Sequence, residues 1–345
     1  TENENAADSD GHGTHVAGIA AANGSLIGVA PGAKIISIRV FNSTGGAGDF
    51  ANVEAGVRWC TNNATRFNIT VISMSLGSSL LYNANCDSSY SSLADAINNA
   101  TLHNISVIAS SGNNANTTHI ASPACIGNTT AAGATYDANI GSASFLACTD
   151  STTSADKVVC YSNRGPLLEL MAPGSAITSA SVSGGNVTQH GTSMAAPHVS
   201  GAYALVRAYE RLESGTNLTP AAIFNALNST GLRVNDSVNA RNYSRINALA
   251  AIASMDNTLP AANVTSPANA TFSTNNITLN FTISDNVATG SCWYMNATGG
   301  NVSLSSCGNI TFTGTEGNNN ITAFVNDTNG NTNGTQRFFR IDTAA

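Results

Sequence analysis

Charge is what this sequence has least of. Of its 345 residues, 13 are Lys or Arg and 20 are Asp or Glu, about a tenth of the chain, where soluble domains carry about a quarter. With so few basic side chains there is no cationic stripe for a polyanion, which excludes nucleic acid as a partner. No apolar run reaches the ~18 residues of a membrane helix, so no membrane span is expected. Methionine is absent from position 1 and no basic, apolar leader follows Thr1. A signal or pro-segment is therefore read as removed or as never included in this stretch.

The chain is still 42% hydrophobic, which argues against the disorder of weakly apolar, highly charged chains. Its surface must be polar without being charged, and Ser, Thr, Asn and Gly supply it. Roughly twenty Asn-x-Ser/Thr triplets occur, among them Asn63-Ala64-Thr65, Asn104-Ile105-Ser106 and Asn276-Ile277-Thr278. They predict an exported glycoprotein, extracellular or at the cell surface, although an Asn- and Thr-rich chain also produces such triplets by chance. Seven cysteines, at 60, 86, 125, 148, 160, 292 and 307, fit the same compartment, and an odd count leaves at least one unpaired within the chain.

Up to about residue 254, strand-like and helix-like segments alternate, the pattern of a mostly parallel sheet with helices on both faces. Lys34–Phe41, Ile69–Ser75 and Ile105–Ser110 read as buried strands. Residues 50–67, 88–103 and 192–212 read as helices, and Thr219-Pro220 as an N-cap with proline at the first helical position. Around Asp256–Pro267 the texture changes to turn-formers, and beyond it short alternating stretches begin at Ile277, Cys292, Ile310, Ile321 and Arg337. This predicts an α/β domain over 1–254 and a small all-β sandwich over 255–345, with Cys292 and Cys307 closing a hairpin-sized loop.

Three segments of the first domain pair a reactive side chain with glycines or small residues. In Asp10-Gly11-His12-Gly13-Thr14-His15 an uncrowded imidazole opens a helix-like run, placed to act as a general base near neutral pH. Gly191-Thr192-Ser193-Met194-Ala195-Ala196-Pro197-His198 puts a hydroxyl at a helix N-terminus, whose partial positive charge favours a nucleophile that passes through anionic states. Ala109-Ser110-Ser111-Gly112-Asn113 carries a strand into a glycine turn and an amide that can serve an oxyanion.

These blocks, with Ile72–Gly77 and Leu170–Gly174, resemble the signature blocks of the subtilisin-like serine proteases over about Asp8 to Ala253. The resemblance implies His12 as base, Ser193 as nucleophile, and Asn113 with the Ser193 backbone N–H as oxyanion donors. It implies that Ser75, Leu76 and Gly77 pair with an extended polypeptide substrate as an added strand. It also implies that Ser111, Gly112 and Ala121 wall the pocket for the residue before the scissile bond. Small residues and no acid there predict large apolar or uncharged side chains as occupants.

One departure stands out. The family's triad aspartate sits in an Asp-Thr/Ser-Gly block well upstream of the histidine, yet only eleven residues precede His12. Asp8 and Asp10 read as part of the loop entering the histidine helix, so the triad carboxylate is expected upstream and the chain by itself is expected to hydrolyse poorly. On the family scaffold, bridges are expected between Cys86 and Cys125, which would tie two cleft loops together, and between Cys148 and Cys160, leaving Cys60 a buried thiol. His12 and His15 lack the further ligands that a zinc site needs, so no metal is expected there. No cofactor is required for the chemistry; calcium is common in the family as a structural ion, but the loop Asn23–Gly28 looks shorter than the versions that cage one. His198 reads as a helix residue. The β-domain reads either as a spacer or as a cell-surface or carbohydrate contact, with Trp293 and Tyr294 its aromatic candidates. The contrasting reading of the whole is a non-catalytic module that holds extended peptides.

Overall fold

The structure, a computed structural model, describes residues 8–41, 49–297 and 299–344. It divides into two compact units, residues 1–252 and 253–345. In the first, runs of β-branched and small residues build a six-stranded sheet in the order Val71–Met74, Ser106–Ser110, Thr129–Thr135, Leu170–Pro173, Arg241–Arg245, Leu232–Asp236. The first five are parallel, and the last runs antiparallel to its neighbour.

Parallel strands are covered on both faces, and side-chain alternation sorts the two. Ile72, Met74, Val107, Ala109 and Ala131 join a core with Val53, Val57, Leu93 and Ile97 of the helices Phe50–Asn62 and Ser91–Leu102. Their neighbours along the strands meet the helix Thr192–Glu213 through polar contacts. Ser200 Oγ donates to Ser73 Oγ (2.8 Å), Arg207 donates to Ser106 Oγ (3.3 Å), and the hydroxyls of Tyr203 and Thr130 are 2.8 Å apart.

Side-chain chemistry sets the helix starts. Asp49 Oδ1 accepts the Ala51 N–H, and Thr219 Oγ1 accepts that of Ala222 ahead of Pro220. The single helix read over 50–67 is two, Phe50–Asn62 and Ala64–Phe67, with the break at Asn63, whose side-chain amide donates to Trp59 O.

The strand predicted over Lys34–Phe41 is not formed. Ile38 and Val40 do pack on the core beside helix Phe50–Asn62, but Ile35 and Ile36 remain 52% and 39% exposed. A strand exists only by laddering with a neighbour, and none is beside this segment among the described residues. Val71–Met74 is the sheet's edge, paired on one side only.

In the second unit a three-stranded and a five-stranded sheet enclose one core. Val264, Leu279 and Phe281 come from the first, and Cys292, Ile321, Val325 and Phe339 from the second. The stretch read as turn-rich around Asp256–Pro267 contains the strand Ala261–Ser266, paired with Asn276–Ser284. Its alternation, with Ala262 and Val264 buried, is short, and Pro260 and Pro267 flank it rather than interrupt it. Tyr294 is core, whereas Trp293 is half-buried and stacks on Phe324 with ring centroids 5.5 Å apart.

Disulfides join Cys86 to Cys125, Cys148 to Cys160 and Cys292 to Cys307, and Cys60 is a buried thiol. Burial pushes its pKa up to about 11, so little thiolate exists at neutral pH. A thiol reagent at pH 8 should leave the native chain unlabelled and, after unfolding without reductant, label Cys60 alone. Peptide mapping that finds Cys60 bridged would contradict this.

Candidate active site

The helix Thr192–Glu213 begins with a backbone conformation that suits glycine, Gly191 at φ +150°. In the first helical turn N–H groups have no acceptor within the helix, and Ser193 N is one of them. Pro197 sits one turn further on and has no N–H to give the carbonyl of Ser193. That carbonyl is satisfied from outside the helix, by Ser75 Oγ at 2.7 Å. Ser75, expected to meet substrate through its backbone, thus holds the backbone of Ser193 through its hydroxyl.

Asn113 follows the strand Ser106–Ser110 and the turn at Gly112. Its Oδ1 accepts from both the N–H and the hydroxyl of Thr192, each at 2.9 Å, while Thr192 Oγ1 accepts the Gly112 N–H at 3.1 Å. With Oδ1 so engaged, Nδ2 is left to face the opening beside Ser193. A methyl group placed on Gly191 would lie 3.3 Å from Asn113 Nδ2 and 3.6 Å from Ser193 N. Asn113 Nδ2 and Ser193 N therefore both lie within 4 Å of one point at the start of the helix, where the helix dipole adds positive potential. In the sequence, the signal for Thr192 is its place directly before the serine.

A cavity of about 170 Å³ opens here, lined by Leu76, Gly77, Ser78, Ser110, Gly112, Asn113, Asn114, Ala121, Thr192 and Ser193. This is below the ~300 Å³ at which whole-ligand pockets begin, and it suits one side chain. Gly77 and Gly112 face Ala121: a Cβ on either would come within 3.4 Å and 3.1 Å of the Ala121 methyl. Ala121 is held by pairing of Leu81–Tyr82 with Ile120–Ala121 and by the Cys86–Cys125 disulfide beyond it. Ser111 is not in the wall; it is fully buried and its hydroxyl donates to Asn163 O. A larger cavity of about 290 Å³, lined by Glu169, Arg233, Arg241 and Tyr243 among others, contains none of these groups.

His12 opens the helix His12–Ala21, which packs against the serine helix, but it is not among the lining residues of the smaller cavity. Gly11 precedes it at φ +96°. The turn is built on Asp8, whose Oδ1 accepts the N–H groups of Asp10 and Gly11 and whose Oδ2 accepts the N–H and hydroxyl of Thr14. Burial works against the Asp8 carboxylate, yet these bonds outweigh it and hold its pKa well below the usual range. Both oxygens are thus committed to the loop. Among the described residues the His12 ring makes no hydrogen bond to a carboxylate. Burial also lowers the His12 pKa below the ordinary 6.5, with the charges of Asp10 and Asp8 pulling the other way.

His15 is fully buried, with Nε2 3.1 Å from the carbonyls of Ile177 and Val187, and His198 Nδ1 is 2.8 Å from Met194 O. Both rings are tied to backbone.

A family model described as the subtilase family matches residues 1–244. The chain belongs to the subtilase family. It is 34% identical to subtilisin DY of Bacillus licheniformis over 236 residues, covering 67% of this chain and 73% of that protein. It is 39% identical to subtilisin-like protease 3 of Pseudogymnoascus destructans over 221 residues, covering 63% and 47%. Among solved structures, sphericase aligns with a TM-score of 0.57 at 28% identity, covering 71% of this chain and 78% of its own. A cold-adapted subtilisin-like serine proteinase aligns with a TM-score of 0.55 at 30% identity over the same shares. The subtilisin-like α/β fold and the serine-peptidase class follow.

Subtilases commonly work without a cofactor and often hold structural calcium. In this subtilase the loop Asn23–Gly28 closes on an Asn23–Ile27 bridge and carries no carboxylate, so any ion there would rest on carbonyl and amide oxygens. Asp256, Asp285 and Asp327 form the one acidic trio among the described residues with oxygens within 4.8 Å of one another, and they lie in the second unit, outside the catalytic segments.

A histidine base works when neutral, so a lowered pKa extends activity toward acid. For the 345-residue chain, kcat/KM should rise with pH through an apparent pKa below 6.5. A pH–rate profile with its acid limb centred above 6.5 would contradict the environment assigned to His12.

Proposed function

We propose that this subtilase is an exported serine endopeptidase, with a peptidase domain over residues 1–254 and a β-sandwich over 255–345. Ser193 Oγ attacks the carbonyl of an extended polypeptide while His12 takes its proton. The oxyanion forms between Asn113 Nδ2 and the Ser193 N–H. His12 then protonates the leaving amine, and water, activated by the same imidazole, releases the acyl group. The observation that carries this reading is the convergence of those two donors beside Gly191, because a peptide binder has no use for an oxyanion site.

The substrate backbone lies along Ser75–Gly77, and its side chain before the scissile bond enters the slot over Ala121. The slot has no acidic wall residue, which favours large apolar or uncharged occupants over Lys. The carboxylate that orients His12 comes from a strand beside Val71–Met74. The open sheet edge there and the unladdered Lys34–Phe41 support a missing neighbour. Without that group a triad in another fold loses ~10⁴ in rate, so this chain by itself turns over slowly. The Asn-x-Ser/Thr triplets support glycosylation, and no described helix is long and apolar enough to cross a membrane. The stacked Trp293 and Phe324 offer the β-domain a flat face for a cell-surface carbohydrate.

That the His12 ring meets no carboxylate among the described residues also favours a second reading, a non-catalytic module that holds peptides in the same cleft. A fluorophosphonate probe separates the two: labelling at Ser193, lost in Ser193→Ala, supports the peptidase, and no labelling supports the binder. Asn113→Ala should lower kcat by about 10²–10³ with KM nearly unchanged. Cleavage profiling should rank Phe and Leu above Lys and Asp before the scissile bond, and a preference for Lys would overturn the pocket assignment.

A further inference from the structure

Residues 111–116, which carry Asn113, form no helix or strand. Five of their hydrogen bonds lead to one residue, Asn163, which is fully buried. Its N–H donates to Gly112 O (2.8 Å) and its carbonyl accepts from Ser111 Oγ (2.8 Å). Its Oδ1 accepts the N–H groups of Asn114 (2.9 Å) and Asn116 (3.1 Å), and its Nδ2 donates to Asn114 Oδ1 (2.9 Å). These five bonds grip the chain on both sides of Asn113 and leave Asn113 itself untouched. Gly112 takes φ +103°, and a Cβ there would come 2.5 Å from Asn163 Nδ2, so the close approach excludes any side chain at 112.

Asn163 is itself anchored. Arg164, the next residue, is 4% exposed, pairs through Nε with Asp236 Oδ2 at 2.5 Å, and donates to Ser162 O at 2.9 Å. The seam continues from Ala115 N to Tyr161 O and from Arg164 N to Asn116 O, each 2.9 Å.

We propose that Asn163 is the positioning residue for the oxyanion donor, its buried amide fixing the 111–116 loop so that Asn113 Nδ2 stays beside the Ser193 N–H. Thr192 sets the rotation of the Asn113 amide, and Asn163 sets where its backbone stands. A donor displaced by a fraction of an ångström still leaves substrate binding intact but loses charge stabilisation in the transition state.

This rests on the proposed role of Asn113 in hydrolysis, and a double-mutant cycle in the full chain tests it with a peptide amide substrate. Asn163→Ala should lower kcat about tenfold or more, short of the 10²–10³ for a lost donor, with KM within about twofold. In the Asn113→Ala background the same change should cost less than about threefold, since the group it positions is gone. An equal loss in both backgrounds, or an unchanged kcat in the single variant, overturns the proposal. Hydrogen exchange supplies an arm that does not depend on turnover. The amides of Asn114 and Asn116 should exchange at least about tenfold faster in Asn163→Ala while those of residues 194–206 hold their rates. If the parent chain shows no hydrolysis, the peptidase reading fails, and the exchange arm still decides whether Asn163 holds the loop. Should Asn163→Ala lack a cooperative melt, Asn163→Asp, which keeps the acceptor for both N–H groups, enters the same cycle. If neither folds, Asn163 is a fold residue and the proposal is overturned.

Discussion

Thr192 spends its backbone N–H and its hydroxyl proton on a single oxygen, Asn113 Oδ1, and takes the Gly112 N–H in return. That three-bond knot joins a loop after the second strand of the sheet to the first turn of a helix eighty residues later. If it opened, the amide of Asn113 could rotate, the N–H of Ser193 would lose its companion, and the cavity would lose two walls at once. An unsatisfied carbonyl or N–H buried at 0% exposure, as Thr192 is, would cost about 1–3 kcal/mol per group. The knot therefore constrains the fold and the geometry of the cavity together.

The composition of the serine helix follows from where that knot puts it. Its first turn must lie against loop backbone, so Gly191, Ala195 and Ala196 leave little side chain in the way, and all three are buried. Pro197 removes the N–H that would have bonded Ser193 O within the helix, and Ser75 supplies the replacement from the neighbouring strand end. A proline that would weaken an ordinary helix here hands a backbone acceptor to Ser75. Further along, Ser200, Tyr203 and Arg207 tie the same helix to Ser73, Thr130 and Ser106. Ser193 thus stands on a helix fixed along its length, which is how a site keeps its geometry while loops supply its other groups.

The segments that were readable in the sequence are those where local chemistry and tertiary role coincide. The buried strand Ser106–Ser110, the capped helix Pro220–Thr230 and the glycine-flanked blocks around His12, Asn113 and Ser193 each carry their own signal. Lys34–Phe41 has an equally strong β pattern and forms no strand, because a ladder needs a partner and pattern says nothing about whether one is present. Ala261–Ser266 was hidden for the opposite reason: six residues between two prolines read as a turn, although the prolines only bracket them. The motifs that carry Ser75 and Ser111 give no sign that these hydroxyls brace the backbone of Ser193 and Asn163. Asn163 had no readable signal at all. One asparagine among many becomes special only when its four polar groups meet a loop some fifty residues away.

The scarcity of charge takes its meaning from the same economy of hydrogen bonds. The acidic residues are largely acceptors for backbone N–H groups: Asp8 for Gly11 and Thr14, Asp87 for Gly127, Asp285 for Val287 and Ala288, Asp327 for Asn329 and Asn331. Asp236 is buried against Arg164. A carboxylate engaged in this way is partly neutralised by the dipoles around it and projects little field into solvent. The net charge of −7 therefore describes how loops are braced more than how a substrate is steered. The slot over Ala121 is likewise uncharged, so whatever enters it meets shape and desolvation and no Coulomb attraction.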